Sequence, residues 1–197
     1  MLNLPARCLL AALGLALLSA PAPAAGPEPD WWQKLEVRGP DNEPVVPAGR
    51  WIVLIFISPE CPLANASVPV LDALAKEYAP QGFFFVGVYV DPTIPPDVLR
   101  KHAKDYALPF ATADDRAHRL VRATGATYTP ETFVYTREGR RLYHGRIDDR
   151  VEDFGLARPY AVRQNLREVL AALVAGRTGP FEERRGFGCA IPEPVKK

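Results

Sequence analysis

The chain predicts an α/β domain built on a central mixed sheet with helices on both faces. Two continuous apolar runs of strand length, WIVLIFI at 51–57 and FFFVGVYV at 83–90, read as strands buried on both sides. Each is followed by a stretch with helical apolar spacing, and strand, helix, strand, helix is the order of parallel units. Two further alternating stretches around Glu138-Gly139 read as a β-hairpin, which adds antiparallel pairing to the same sheet.

Residues 1–24 have the three parts of a secretory signal: Arg7 near the start, an apolar stretch from Leu9 to Leu18, and the small residues of Ala22-Pro23-Ala24. Cleavage after Ala24 is expected, with export to the periplasm or exterior of a bacterial cell. A membrane span needs about 20 apolar residues, and Pro21 and Pro23 break this stretch first, so no membrane attachment is expected after cleavage. Cys8 leaves with the leader. Residues 25–50 form a lead-in rich in proline and glycine, with Trp31 and Trp32 as its anchors.

The domain proper is expected over 51–178. Its first strand stops at Ser58-Pro59, and Val68, Leu71, Leu74 and Ala75 mark an amphipathic helix over 67–78. The second strand stops at Asp91-Pro92, and a helix over 96–106 follows. Another short helix, 115–124, closes on Gly125, a left-handed cap position. The hairpin strands span 132–136 and 141–147. A last helix over 161–175 carries Leu166, Val169, Leu170 and Leu173 on one face, and the tail, 179–197, reads as irregular and holds Cys189.

Composition narrows the function. The 197 residues hold 24 basic and 23 acidic side chains, and loss of Arg7 with the leader balances them. That balance gives no electrostatic case for nucleic acid. Clusters such as Arg140-Arg141 and Glu182-Glu183-Arg184-Arg185 read as solvated faces. After cleavage two cysteines remain, Cys61 and Cys189, an even count that permits a disulfide in an oxidising compartment.

Cys61 follows a buried strand and precedes Pro62, a residue suited to the first helical turn. A thiol at a helix N-terminus meets unpaired amides and the positive end of the helix dipole, which favour thiolate. Thr129-Pro130 is a place where a cis peptide costs little, and it would turn the backbone of Thr129 toward an incoming extended chain.

The segment from Trp51 to Ile147 resembles the thioredoxin-like superfamily, in its exported redoxin branch. Three features carry the resemblance: the strand leading through Ser58-Pro59-Glu60 to Cys61-Pro62, Pro69 within the helix that follows, and the Thr129-Pro130 segment ahead of the Gly139 turn. It implies Cys61 as nucleophile, Pro130 as the cis proline beside it, and Thr129, Pro62 and Ser58 as contacts for substrate. Cys189, in Gly-Phe-Gly-Cys-Ala-Ile, is the candidate resolving cysteine, since exported redoxins with a terminal Gly-Cys pair are similar. The expected activity is thiol-disulfide exchange with a protein disulfide or, as the alternative, reduction of a peroxide, with electrons from a thiol reductant. No cofactor or metal is called for.

The chain also departs from that pattern. Ala64 stands where a second cysteine is usual, and Ile55 where thioredoxins keep a buried acid, with Glu60 a candidate substitute. Ser58 matches the hydroxyl that peroxiredoxins place before their cysteine, but Leu54 replaces their proline, and Arg122 or Arg146 would have to supply the arginine. Sco-type copper chaperones share the fold but need two close cysteines and a histidine, and His102, His118 and His144 are scattered. A module that binds partners at the Pro130 edge without turnover is the other alternative. Arg146-Ile-Asp148-Asp149 is a charged turn that would flank the thiol. The sequon Asn65-Ala66-Ser67 is read as accidental because it falls in the active-site helix.

Overall fold

In the computed structural model, residues 31–153 and 155–194 are described, and the leader and the start of the lead-in lie outside them. The helices are α1 (Trp31–Leu35), α2 (Pro62–Tyr78), α3 (Pro96–Asp105), α4 (Arg119–Thr124) and α5 (Asn165–Val174). The strands are β1 (Trp51–Ile57), β2 (Phe83–Tyr89), β3 (Ala111–Asp114), β4 (Tyr128–Thr129), β5 (Glu131–Thr136), β6 (Arg141–Gly145), β7 (Val151–Asp153), β8 (Leu156–Ala157) and β9 (Cys189–Ala190).

Five strands form the central sheet in the order β3-β2-β1-β5-β6. β1 pairs parallel with β2 and β2 with β3, whereas β5 pairs antiparallel with both β1 and β6. β1 is buried along its whole length because neither face carries a polar side chain. Trp51, Val53, Ile55 and Ile57 point into one half of the core, with Leu71 and Leu74 of α2, Leu99 of α3 and Leu170 of α5. Ile52, Leu54 and Phe56 point into the other, with Trp31 and Trp32 of α1 and Leu120 of α4. Helices therefore cover both faces, and the C-terminal end of β1 opens at the start of α2.

Several boundaries differ from expectation. α2 begins at Pro62, five residues before the first residue expected, because Cys61 caps it and residues 62–66 need no apolar period to be helical. The helix expected from 115 is only α4: the Asp115 carboxylate accepts the amides of Leu120 and Val121, and His118 adopts φ 56° just before the helix. Residues 161–164 stay outside α5 because the amides of Val162 and Arg163 donate to Asp149 at 2.7 and 2.8 Å. β3 was not expected, since Ala-Thr-Ala-Asp is short and polar, nor were the short pairs β7–β8 and β4–β9. The tail is accordingly not wholly irregular. Gly125 does end α4, with φ 80°.

Candidate active site

Cys61 is the N-cap of α2, and its sulfur takes the place that an oxygen usually takes there: the Ala64 amide donates to Sγ at 3.4 Å. Ser58 shapes the preceding turn, its carbonyl accepting from Cys61 N at 3.1 Å and its Oγ from Glu60 N at 3.3 Å. Glu60 itself is exposed. Ala64 thus contributes its amide at the position of the missing second cysteine, and Ile55 is wholly buried in the core. Asn65 is occupied, donating to Pro59 O at 2.9 Å and meeting His102 Nε2 at 2.9 Å.

The Thr129–Pro130 peptide bond is cis. The Cys61 thiol donates to the Thr129 carbonyl at 3.1 Å, which joins the end of β1 to the turn before β5. Thr129 is buried, and its Oγ1 lacks a well-aligned partner while lying against both sulfurs.

The tail completes the site. It runs beside β6, where Arg146 N donates to Arg184 O at 2.7 Å, and then crosses to β4, where Gly186 N donates to Tyr128 Oη at 2.8 Å. β9 pairs antiparallel with β4, so that Cys189 stands opposite Thr129, and Ile191 N donates to Thr127 O at 3.1 Å. Both cysteines are free, and each is among the main influences on the ionisation of the other. A nucleophile at a helix start is expected to be reachable by substrate. Cys61 is instead 1% exposed, covered by the strand that carries Cys189.

Burial is the largest influence on Cys61 and opposes ionisation. The side chains of Cys189 and Thr129 and the amide of Ala64, which favour the charged sulfur, outweigh it and hold Cys61 below the ordinary thiol range. Burial, followed by the hydrogen bond to Cys61 and its charge, pushes Cys189 up to about 11. Cys61 is therefore the easier of the two sulfurs to ionise.

Residues outside the sequence reading support this arrangement. Glu131, 2% exposed, accepts the amides of Thr127 at 2.7 Å and Tyr128 at 3.3 Å, and meets His144 Nε2. It belongs to the sheet face of Phe133 and Tyr135, opposite Cys61, and so it braces β4 from behind. Its signal was its place directly after Pro130. Gly186 and Gly188 were signalled by the alternation in Gly-Phe-Gly-Cys.

The remaining candidates make no hydrogen bond to either sulfur, but Arg146 lines a small cavity with Leu63 and Pro130. Arg122 is in α4, and Arg146 Nε donates to Asn165 at 2.8 Å. Neither is among the main influences on Cys61. Asp149 is taken up by its loop, where it also pairs with Arg158 at 2.8 Å. Asp148 accepts Arg150 N at 3.0 Å and lines a cavity of about 30 Å³ with Leu63 and Pro130. A larger hollow, about 810 Å³, lies elsewhere, against Leu35, Arg38 and Arg116, and Arg116 is already paired with Asp114. Among the described residues no group of three or more His, Cys, Asp or Glu is placed to hold a metal ion, and no helix is long and apolar enough to cross a membrane.

The sequence profile described as the AhpC/TSA family matches residues 42–141, just over half of the chain. The chain belongs to the AhpC/TSA family. This redoxin membership agrees with the thioredoxin-like architecture, and solved structures share it. An uncharacterized conserved protein from Geobacillus kaustophilus is 23% identical with a TM-score of 0.70, over 94% of this chain and 100% of that one. A hypothetical protein from Sinorhizobium meliloti is 22% identical with a TM-score of 0.70, over 86% and 94%. A secreted Mycobacterium tuberculosis disulfide oxidoreductase, described as homologous to E. coli DsbE, is 20% identical with a TM-score of 0.52, over 71% and 98%. No curated protein matches the sequence.

Proposed function

We propose that this AhpC/TSA family protein is an exported thiol-disulfide oxidoreductase with Cys61 as nucleophile and Cys189 as resolving cysteine. The observation that carries the reading is the placement of Cys189 opposite Thr129, whose carbonyl accepts the Cys61 thiol, with Cys61 capping α2 beside Pro130. The Cys61 thiolate attacks one sulfur of a substrate disulfide, forming a mixed disulfide and releasing the other half as thiolate. Cys189, once deprotonated, attacks the Cys61 sulfur, releases the second half as thiolate and closes Cys61–Cys189. Two electrons pass to the substrate, and an external thiol reductant returns them. The three-part leader supports export.

Thiol peroxidase activity is the second reading, favoured by the tail filling the edge that an extended peptide would use. Cys61 thiolate then attacks a peroxide oxygen, giving a sulfenic acid and the alcohol or water. Cys189 condenses with the sulfenic acid to close the disulfide and release water. Mass spectrometry of adducts trapped on a Cys189→Ala variant separates the two. Mixed disulfides with proteins support exchange, and a sulfenic acid formed by peroxide supports the peroxidase. If the wild type keeps two free thiols under both oxidants, with reactivity no greater than free cysteine, the enzyme reading fails in favour of a binding module.

A further inference from the structure

Gly188 is where the tail comes closest to the nucleophile's own partner. A Cβ built on it would stand 2.2 Å from the Thr129 carbonyl oxygen, 2.8 Å from the Thr129 carbonyl carbon and 2.7 Å from the Tyr128 ring. Separations below 3.0 Å require something to shift, and two of these atoms are backbone, held by the pairing of β4 with β9. The crowded oxygen is the one that accepts the Cys61 thiol, so a shift there disturbs the nucleophile as well. Glycine is needed here for space. Two residues earlier the requirement recurs: a Cβ on Gly186 would stand 2.7 Å from Arg146 Cβ.

We infer that the Thr129 carbonyl is a steric filter on the residue that precedes an incoming cysteine. In this register only a Gly-Cys pair brings its sulfur onto Cys61, so Cys61 selects its own tail over the cysteines of other extended polypeptides. The inference rests on the proposed exchange between Cys61 and Cys189 and adds its specificity. Thr129 and Tyr128 form the filter, and Gly188 passes through it.

Two arms test it in the full-length protein. In the first, diamide oxidises Cys61 and Cys189 to their disulfide and is reduced to the hydrazine, with closure followed by loss of free thiols. Gly188→Ala should close about tenfold more slowly or worse, while Cys61 alkylation by iodoacetamide speeds up because the misfitting strand no longer covers it. Closure at the wild-type rate would overturn the inference. In the second arm Cys61 of a variant with both Gly188→Ala and Cys189→Ala, whose own tail no longer fits beside Thr129, carries thionitrobenzoate as a mixed disulfide. A hexapeptide thiolate attacks the Cys61 sulfur, forms the peptide disulfide and releases coloured thionitrobenzoate. The peptide GFGCAI should release it about tenfold faster than GFACAI, and equal rates would also overturn the filter. This arm does not use Cys189. A wild type that fails to close its disulfide therefore counts against the exchange reading alone, and the peptide rates still decide the filter.

Discussion

The two sulfurs ionise unequally, and that asymmetry fixes what each substitution does. Cys61 ionises below the ordinary thiol value, so its contribution to stability is present above that value and is lost as pH falls through its lowered one. Cys189, raised to about 11, does the reverse: its contribution is complete below the ordinary value and lost as pH rises through about 11. Cys189→Ala removes the foremost hydrogen bond lowering Cys61, so the midpoint of Cys61 alkylation should move to higher pH. Cys61→Ala should move Cys189 down from about 11, since burial then acts without the hydrogen bond and charge of Cys61. Rates of iodoacetamide alkylation against pH for the two single-cysteine variants check both. Unmoved midpoints would mean that the sulfurs do not touch in solution. Cys61, Thr129, Pro130 and Cys189, which the fold brings together, could be picked out in the sequence because each sits at a chemically marked spot: a helix start, an X-Pro bond, a second thiol. The tight approach of Gly188 was not, because it depends on an atom 59 residues away in sequence.

At the scale of elements, β4 is the weak member, two residues long and placed between a carboxylate and the tail. Glu131 satisfies the amides of Thr127 and Tyr128 in a buried place, so Glu131→Ala leaves them without an acceptor. Stranded buried donors cost about 1–3 kcal/mol each, and a loss in that range should appear in urea denaturation. Glu131→Gln keeps an acceptor oxygen and should lose less. Equal losses would argue that the contact with His144, rather than the two amides, is what Glu131 serves. β1 and β2 were readable because seven consecutive apolar residues admit few alternatives, and the β5–β6 hairpin because Gly139 takes the positive φ that its turn requires, 89°. β4 and β9 have no periodicity to read, and their partners lie about sixty residues apart. α2 was read short because its first turn is specified by a sulfur cap and a proline, whereas the search was for apolar spacing.

Over the whole molecule, two half-cores share β1, and the site hangs from its C-terminal end. Leu54 is fully buried on the face of β1 away from Cys61. Leu54→Ala should therefore cost about 2–5 kcal/mol in urea while leaving the alkylation midpoint of Cys61 in place, since no atom of the site is removed. A Cys61–Cys189 bond acts at larger range. It would tie the end of β1 to the strand beyond α5, closing a loop of more than a hundred residues, which the chain-entropy account values at about 4–5 kcal/mol. The tail already lies across Cys61 in the dithiol form, paired with β4, so the native state reorganises little when the bond forms and most of that gain should survive. The oxidised protein should then melt well above the reduced one. The difference should shrink in Gly188→Ala, where closing the bond forces the Cβ against the Thr129 carbonyl. Identical melting temperatures for oxidised and reduced wild type would mean that forming the bond strains the fold as much as it restrains the unfolded chain, in which case the docked tail is not the geometry of the disulfide.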